Sequence, residues 1–290
     1  MLRRFRLEEP ESVKEVSELL ARFGESAKLY AGGTELLLAM KEGLVHYERL
    51  INVKKVRGLN EVDAGNGTIR IGALATHHEL EISPVLKQRL PVLPRLEANV
   101  ANVRVRRMGT IGGNLCFAEP HADPGTLLIA LGAKLIAEKS DSKREISAES
   151  FFVDAYETSL EPDEVLTEIH VPAPPRRWGA TYMKFGYLER PSVGVAVALS
   201  LNAEDAIGDI RIAVGCAGPA PKRVPEAEEL LRGKSIGEAS GNIVRAGETA
   251  ARAARAISDL HGSQEYKEHI VGVLLKRSFQ NALSRCGGES

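Results

Sequence analysis

Two glycine pairs, Gly32-Gly33 and Gly112-Gly113, constrain this chain most, because each stands where the backbone must turn out of one element into the next. Tyr30-Ala31-Gly32-Gly33-Thr34-Glu35-Leu36 runs from a strand pattern into a helix pattern, and Thr110-Ile111-Gly112-Gly113-Asn114 has the same small, backbone-exposing character. Glycine permits φ > 0 and lets a ligand come close to the main chain. Successive N–H groups then form an anion-binding nest, helped in the first loop by a helix N-terminus. A diphosphate is the natural guest, with Thr34, Thr110 and Asn114 adding side-chain hydrogen bonds. Neither loop is a P-loop, since no Gly-Lys-Ser/Thr follows, and neither is a Gly-x-Gly-x-x-Gly dinucleotide fingerprint.

The patterns around the loops predict a β-α-β-α-β start. Ser12 and Glu15 have capping-box spacing ahead of Val13, Val16, Leu19, Leu20 and Phe23, with Gly24 as the stop. Lys28–Ala31 and Leu50–Val53 read as strands, and Thr34 reads as the cap of a helix over 35–41. Further on, a turn over 65–67 precedes a strand over 68–71. Thr76 and Glu79 repeat the capping-box spacing, 93–105 reads as one helix, and Asp123-Pro124 as a helix start. Strands are expected over 134–139 and 164–171. Pro172, Pro174 and Pro175 with Arg176 and Arg177 mark a linker. Strands over 181–185, 193–201 and 210–214 follow, then helices over 227–232, 241–257 and 266–284. That order predicts an α+β second domain. The expected division is a cofactor domain over 1–173, split at 55/56, and a C-terminal domain over 178–286.

With 43% hydrophobic and 27% charged residues and a formal net charge of −1, the composition is that of a globular protein with no call for a polyanionic partner. No nucleic acid or membrane span is expected, because the longest apolar runs, 127–133 and 193–201, are too short to cross a bilayer. No apolar signal core follows Arg3 and Arg4, so the expected compartment is the cytoplasm. Cys116, Cys216 and Cys286 lie far apart, which speaks against a disulfide framework. Three thiols also fall short of the four that an iron–sulfur cluster takes.

Other groups carry weaker signals for chemistry. His121 and Asp123 lack the further ligands a metal site needs, and Glu119 with Asp123 lacks a substrate pocket around it. Arg104, Arg106 and Arg107 read as a solvated face or as a phosphate or partner contact. His77 and His78 read as surface residues, Cys116 as a buried inert thiol, and Leu36-Leu37-Leu38 as core.

The segments AGGTELLLAMK, GTIGGNLCFAEPHADPGTLLIALGAKL and EVLTEIHVP resemble the FAD-binding subunit of the molybdenum hydroxylases, a family that includes carbon monoxide dehydrogenase medium subunits and the xanthine dehydrogenase flavin domain. IRIAVGCAGPAPKRVPEAEELLRGK and SQEYKEHIVGVLLKRSF are similar to that family's C-terminal domain. The likeness spans nearly the whole chain, and its most specific mark is the TIGGN element with Asp123 nine residues beyond Asn114.

The resemblance implies an α+β fold: a two-part FAD-binding domain of the PCMH (vanillyl-alcohol-oxidase-like) type, followed by a smaller sheet-plus-helix domain. It implies FAD, its diphosphate held by Ala31, Gly32, Gly33, Thr34 and Glu35 and by Thr110, Ile111, Gly112, Gly113 and Asn114. Asp123 is expected at the cofactor's hydroxyl-bearing part, and Val100, Leu166 and Lys184 beside adenine or flavin. No catalytic side chain and no metal are expected on this chain. The 2Fe-2S clusters are expected on a small partner subunit and molybdopterin on a large one, the assembly being a dimer of heterotrimers. Electrons pass through this chain to a final acceptor, while the substrate is oxidised on the large subunit. The family's acid and aromatic near the flavin are missing from Leu188-Glu189-Arg190-Pro191-Ser192-Val193, which leaves the acceptor open. A self-contained FAD-dependent reductase or oxidase, and a flavin-free scaffold subunit, stand as alternatives.

Overall fold

The computed structural model describes residues 2–65, 67–186 and 190–286. The central residue of the 65–67 turn and residues Leu188 and Glu189 of the departing stretch lie outside the described residues.

The chain begins with β1 (Arg6–Glu8), α1 (Val13–Phe23), β2 (Ala27–Tyr30), α2 (Leu36–Glu42) and β3 (Arg49–Asn52). The strands form a small parallel sheet in the order β1-β3-β2. Parallel pairing needs a crossover, and α1 and α2 supply one each. Ser12 caps α1 by accepting from the Glu15 N–H, and Gly24 closes it. Thr34 does not cap α2: Glu35 occupies that position, and no side chain bonds the helix start. Leu38 is 49% exposed rather than core, because α2 turns that face outward and buries Met40 instead.

A second body comprises β4 (Val62–Gly65), β5 (Thr68–Gly72), α3 (His77–Ile82), α4 (Pro84–Arg89), α5 (Val92–Glu97), α6 (Val103–Met108), α7 (Ile111–Phe117) and α8 (Pro124–Ala130). It continues with β6 (Lys134–Glu138), β7 (Lys143–Ser147), α9 (Ala148–Phe151), β8 (Phe152–Asp154), β9 (Glu157–Thr158) and β10 (Val165–Pro172). Its antiparallel sheet runs β4-β5-β10-β6-β7, and Ile69, Ile71, Leu135, Ile169 and Val171 bury one shared core. The single helix expected over 93–105 is two helices. Ala101 takes a left-handed φ of 41°, and the Asn102 side chain accepts from the Arg104 and Val105 N–H groups to start α6 afresh.

After a short connection the third body begins: β11 (Trp178–Phe185), β12 (Val193–Leu201), β13 (Ile207–Gly215), β14 (Lys222–Arg223), α10 (Pro225–Glu229), α11 (Ile236–Ala253) and α12 (Gln264–Arg285). Its antiparallel sheet, β11-β12-β13-β14, carries two apolar faces. Val193, Val195, Val197 and Leu199 pack with Ile210, Ile212 and Val214 against α11 and α12. The alternate residues Ala180, Ala196, Ala198 and Ala213 belong to the second body's core, where α8 lies against β12 and β13. Period-2 alternation thus makes this sheet the wall between two cores. Its α8-facing side chains are small, so the helix sits close. All of α8 is buried as a result.

Candidate functional site

The two glycine loops meet. A Cβ built on Gly32 would overlap the carbonyl oxygen of Met108 and lie 2.7 Å from the Gly109 Cα, so the first loop rests on the backbone that leads into the second. A Cβ on Gly112 would lie 2.6 Å from both the Cβ and the carbonyl oxygen of Ala73. These glycines serve backbone-to-backbone packing, a use different from the direct approach of a ligand expected from the sequence. Ala31 and Gly113 then face each other across the join.

Hydrogen-bond accounting shows what the join leaves open. Gly109 accepts from the His77 N–H at 3.0 Å, Ala75 from Ile111 at 3.0 Å and Ala73 from Gly112 at 2.8 Å, stitching the second loop to 73–77. The Thr110 hydroxyl accepts from the Gly113 N–H at 3.1 Å. The N–H groups of Gly32, Gly33, Thr34, Glu35 and Thr110 have no protein acceptor among the described residues. Asn114, on the first turn of α7, carries a buried Oδ1 with no partner. Thr110 is buried, where main-chain donors are nearly always satisfied, and the donors at 32–35 stand open at the start of α2. A cluster of open ones beside an orphaned buried amide oxygen is a binding surface for a ligand rich in phosphate oxygens and hydroxyls.

Asp123 and Lys184 come together. The expected helix start holds in position only: Asp123 stands at the N-cap of α8 with Pro124 behind it, but its side chain makes no cap bond. The carboxylate turns instead to the third body, accepting from Tyr182 Oη at 2.6 Å and from Lys184 Nζ at 2.7 Å. Lys184 also donates to the Asn99 carbonyl at 2.8 Å. Period-2 spacing on β11 puts Tyr182 and Lys184 on the face turned towards α8. Burial pushes the Asp123 carboxyl up from its ordinary range, against the Lys184 charge and the bonds from Lys184 and Tyr182. A carboxylate has about four lone-pair sites, so two remain for a hydroxyl-bearing ligand.

Val100 and Leu166 are placed differently. Both residues are buried in the second core, at 6% and 5% exposure, so neither presents a side chain to a ligand.

Several neighbours escaped sequence reasoning. His77 is 2% exposed, not a surface residue: its Nδ1 lies 2.6 Å from Glu97 Oε2, and Glu97 is wholly buried with Oε1 orphaned. Twenty residues separate the two, and no spacing signal links them. Arg190 bridges Glu35 of the first loop at 3.1 Å and Glu119 at 3.2 Å. Burial raises the Glu119 carboxyl, but bonds from His121 and the Arg190 charge outweigh it and leave it below the ordinary value. Arg106 is no solvated residue either. It bonds Glu81 at 3.0 Å and the carbonyls of Val100 and Ala101 at 3.0 and 3.3 Å, bracing the break before α6. Cys116 is half-buried by surface, yet burial pushes its thiol up to about 12, so it is no nucleophile. Among the described residues no three His, Cys, Asp or Glu side chains are grouped to hold a metal, and no helix is long and apolar enough to cross a membrane.

Comparison with known proteins gives two family matches. The model described as FAD binding domain in molybdopterin dehydrogenase matches residues 3–174, and the CO dehydrogenase flavoprotein C-terminal domain matches 189–282. The carbon monoxide dehydrogenase medium chain of Hydrogenophaga pseudoflava is 33% identical, with 98% of each chain covered. The nicotine 6-hydroxylase medium subunit of Paenarthrobacter nicotinovorans is 32% identical, covering 95% of this chain and 96% of that one. A solved structure of the Hydrogenophaga pseudoflava carbon monoxide dehydrogenase lacking the Mo-pyranopterin moiety superposes with a TM-score of 0.95. It is 32% identical and covers 99% of this chain and 100% of its own.

Proposed function

The chain belongs to the family of FAD-binding medium subunits of the molybdenum hydroxylases, and we propose from that premise that it holds FAD between its two glycine loops and relays electrons. The electrons come from iron–sulfur clusters on a small partner subunit, which are fed by a molybdopterin centre on a large one, and they leave to a final acceptor. The observation that carries the site is the convergence of unpartnered N–H groups at Gly32, Gly33, Thr34, Glu35 and Thr110 with the orphaned Asn114 Oδ1.

The residues present fit the cofactor. Gly32 to Glu35 and Thr110 supply neutral main-chain donors, suited to a diphosphate, and Asn114 adds its buried amide oxygen. Asp123 keeps acceptor sites for cofactor hydroxyls while Tyr182 and Lys184 hold its carboxylate still. Lys184 adds a positive charge beside it. When bound, FAD supplies the chemistry of accepting electrons singly and releasing them in pairs. This chain's own residues bind and orient the cofactor, and none is assigned acid–base work. Cysteine count argues that the clusters sit elsewhere: the chain has three, and burial raises Cys116 and Cys286 to about 12 and about 11.

The domain division is read as 1–173, in subdomains 1–55 and 56–173, followed by 178–286. The cytoplasm is the proposed compartment, and a dimer of heterotrimers the proposed assembly. An absorption spectrum of the purified chain, with identification of the released cofactor, tests the reading. The expected result is FAD, with Asn114→Leu retaining less than about a tenth of it, since a buried polar group that loses its partner costs about 1–3 kcal/mol. A colourless chain that takes up no added FAD, alone or in its complex, sinks the proposal.

A further inference from the structure

We infer that His77 is a cofactor-contact residue, presenting Nε2 to the FAD diphosphate, and that the buried carboxylate of Glu97 holds the ring for it. The inference rests on the FAD reading above and adds a residue that the glycine loops alone do not supply.

The ring is aimed by its neighbours. The His77 N–H donates to the Gly109 carbonyl at 3.0 Å, which ties the start of α3 to the backbone leading into the second loop. A Cβ built on Gly109 would lie 3.1 Å from His77 Cδ2 and 3.3 Å from Thr34 Oγ1. Cδ2 is bonded to Nε2, so this edge of the imidazole faces the point where the two loops join. On the far edge Nδ1 is committed to Glu97 at 2.6 Å. Nε2 has no protein partner among the described residues.

Glu97 fixes which nitrogen is open. It is 0% exposed and its Oε2 takes Nδ1, so Nε2 is the ring nitrogen left for a ligand. An imidazolium donates from both nitrogens, so with Nδ1–H given to Glu97 its Nε2–H can meet a phosphate oxygen.

The diphosphate calls for such a donor. The one charged side chain in the two loops is Glu35, which is anionic. Several nearby cations are committed: Lys184 to Asp123, Arg190 to Glu35 and Glu119, Arg106 to Glu81, while Lys54 lies over the Tyr30 ring at 4.1 Å.

The test is titration of the full chain with FAD and separately with ADP, a probe that carries the diphosphate without the flavin. His77→Leu is expected to weaken both by roughly tenfold to a hundredfold, the range for one hydrogen bond to a charged group. His77→Gln, whose amide N–H reaches the Nε2 position, is expected to recover part of the loss. The absorption maximum of bound flavin stays unchanged in each variant. If His77→Leu alone does not fold, His77→Leu combined with Glu97→Gln, which leaves no buried carboxylate unpaired, measures the same loss. The inference is overturned if His77→Leu binds FAD within about threefold of the parent, or if FAD weakens while ADP does not. Failure of the parent chain to bind either probe overturns the FAD reading itself, and this inference with it.

Discussion

Glu164 shows how a single buried acid supports the cofactor body from a distance. Its carboxylate is almost fully buried and accepts two bonds from the Arg144 guanidinium, at 2.6 and 2.8 Å, while it also accepts from the Glu161 N–H at 2.7 Å. The bond from Arg144 outweighs burial and holds the Glu164 carboxyl below its ordinary value of 4.5. A lowered folded-state value means that the stabilisation is present above the unfolded value and is lost as pH falls through the lowered one. Glu164→Gln is therefore expected to cost about 1–3 kcal/mol at neutral pH. The gap to the parent should narrow in acid, as pH falls through the lowered Glu164 value and that side chain too becomes neutral. Urea unfolding at neutral and at acid pH checks it, and a gap that widens on acidification contradicts the assignment.

Among the elements, the two glycine loops behave as one unit, because Gly32 has the Met108 carbonyl where a side chain would go. Gly32→Ala must push α6 and the second loop away from α2. The expected outcome is loss of FAD from the purified chain together with a lower melting temperature, whereas Leu38→Ala, on an exposed face, should leave both nearly unchanged. Retention of FAD by Gly32→Ala would show that the loops move independently. Periodicity made the regular elements legible, as at β12, whose alternating valines and alanines were readable as a strand. TIGGN and Asp123 were legible as a candidate site through resemblance. What stayed hidden was tertiary. Nothing at Glu97 announces His77, nothing at Arg190 announces Glu35, and a chiefly apolar pattern over 93–105 hid a break set by the left-handed φ of Ala101. The bland reading of His77 failed because helix position alone does not say which face meets the core.

At the scale of the whole molecule, the proposed domain boundary cuts the sequence at 173 but does not divide the packing there. The third body's sheet lends Ala180, Ala196, Ala198 and Ala213 to the second body's core, and α8 is buried along its whole length with β12 and β13 packed against it. The same sheet sends Tyr182 and Lys184 to Asp123. A fragment of residues 1–173 would expose α8 to water, and at about 25 cal/mol per Å² even a few hundred Å² of bared apolar surface is comparable with the stability of a typical domain. It would also leave Asp123 with neither of its side-chain partners. Such a fragment is expected to unfold without a sharp transition and to retain less than about a tenth of the FAD held by the full chain, since it loses two charge-assisted bonds along with the packing. Circular dichroism on heating and flavin content after gel filtration are the measurements. A fragment that melts cooperatively and carries FAD in full would mean that the first two bodies alone build the site. The C-terminal sheet would then be a cover, not a wall the cofactor domain needs, and the Asp123–Lys184 bond would hold the bodies together without shaping what FAD meets.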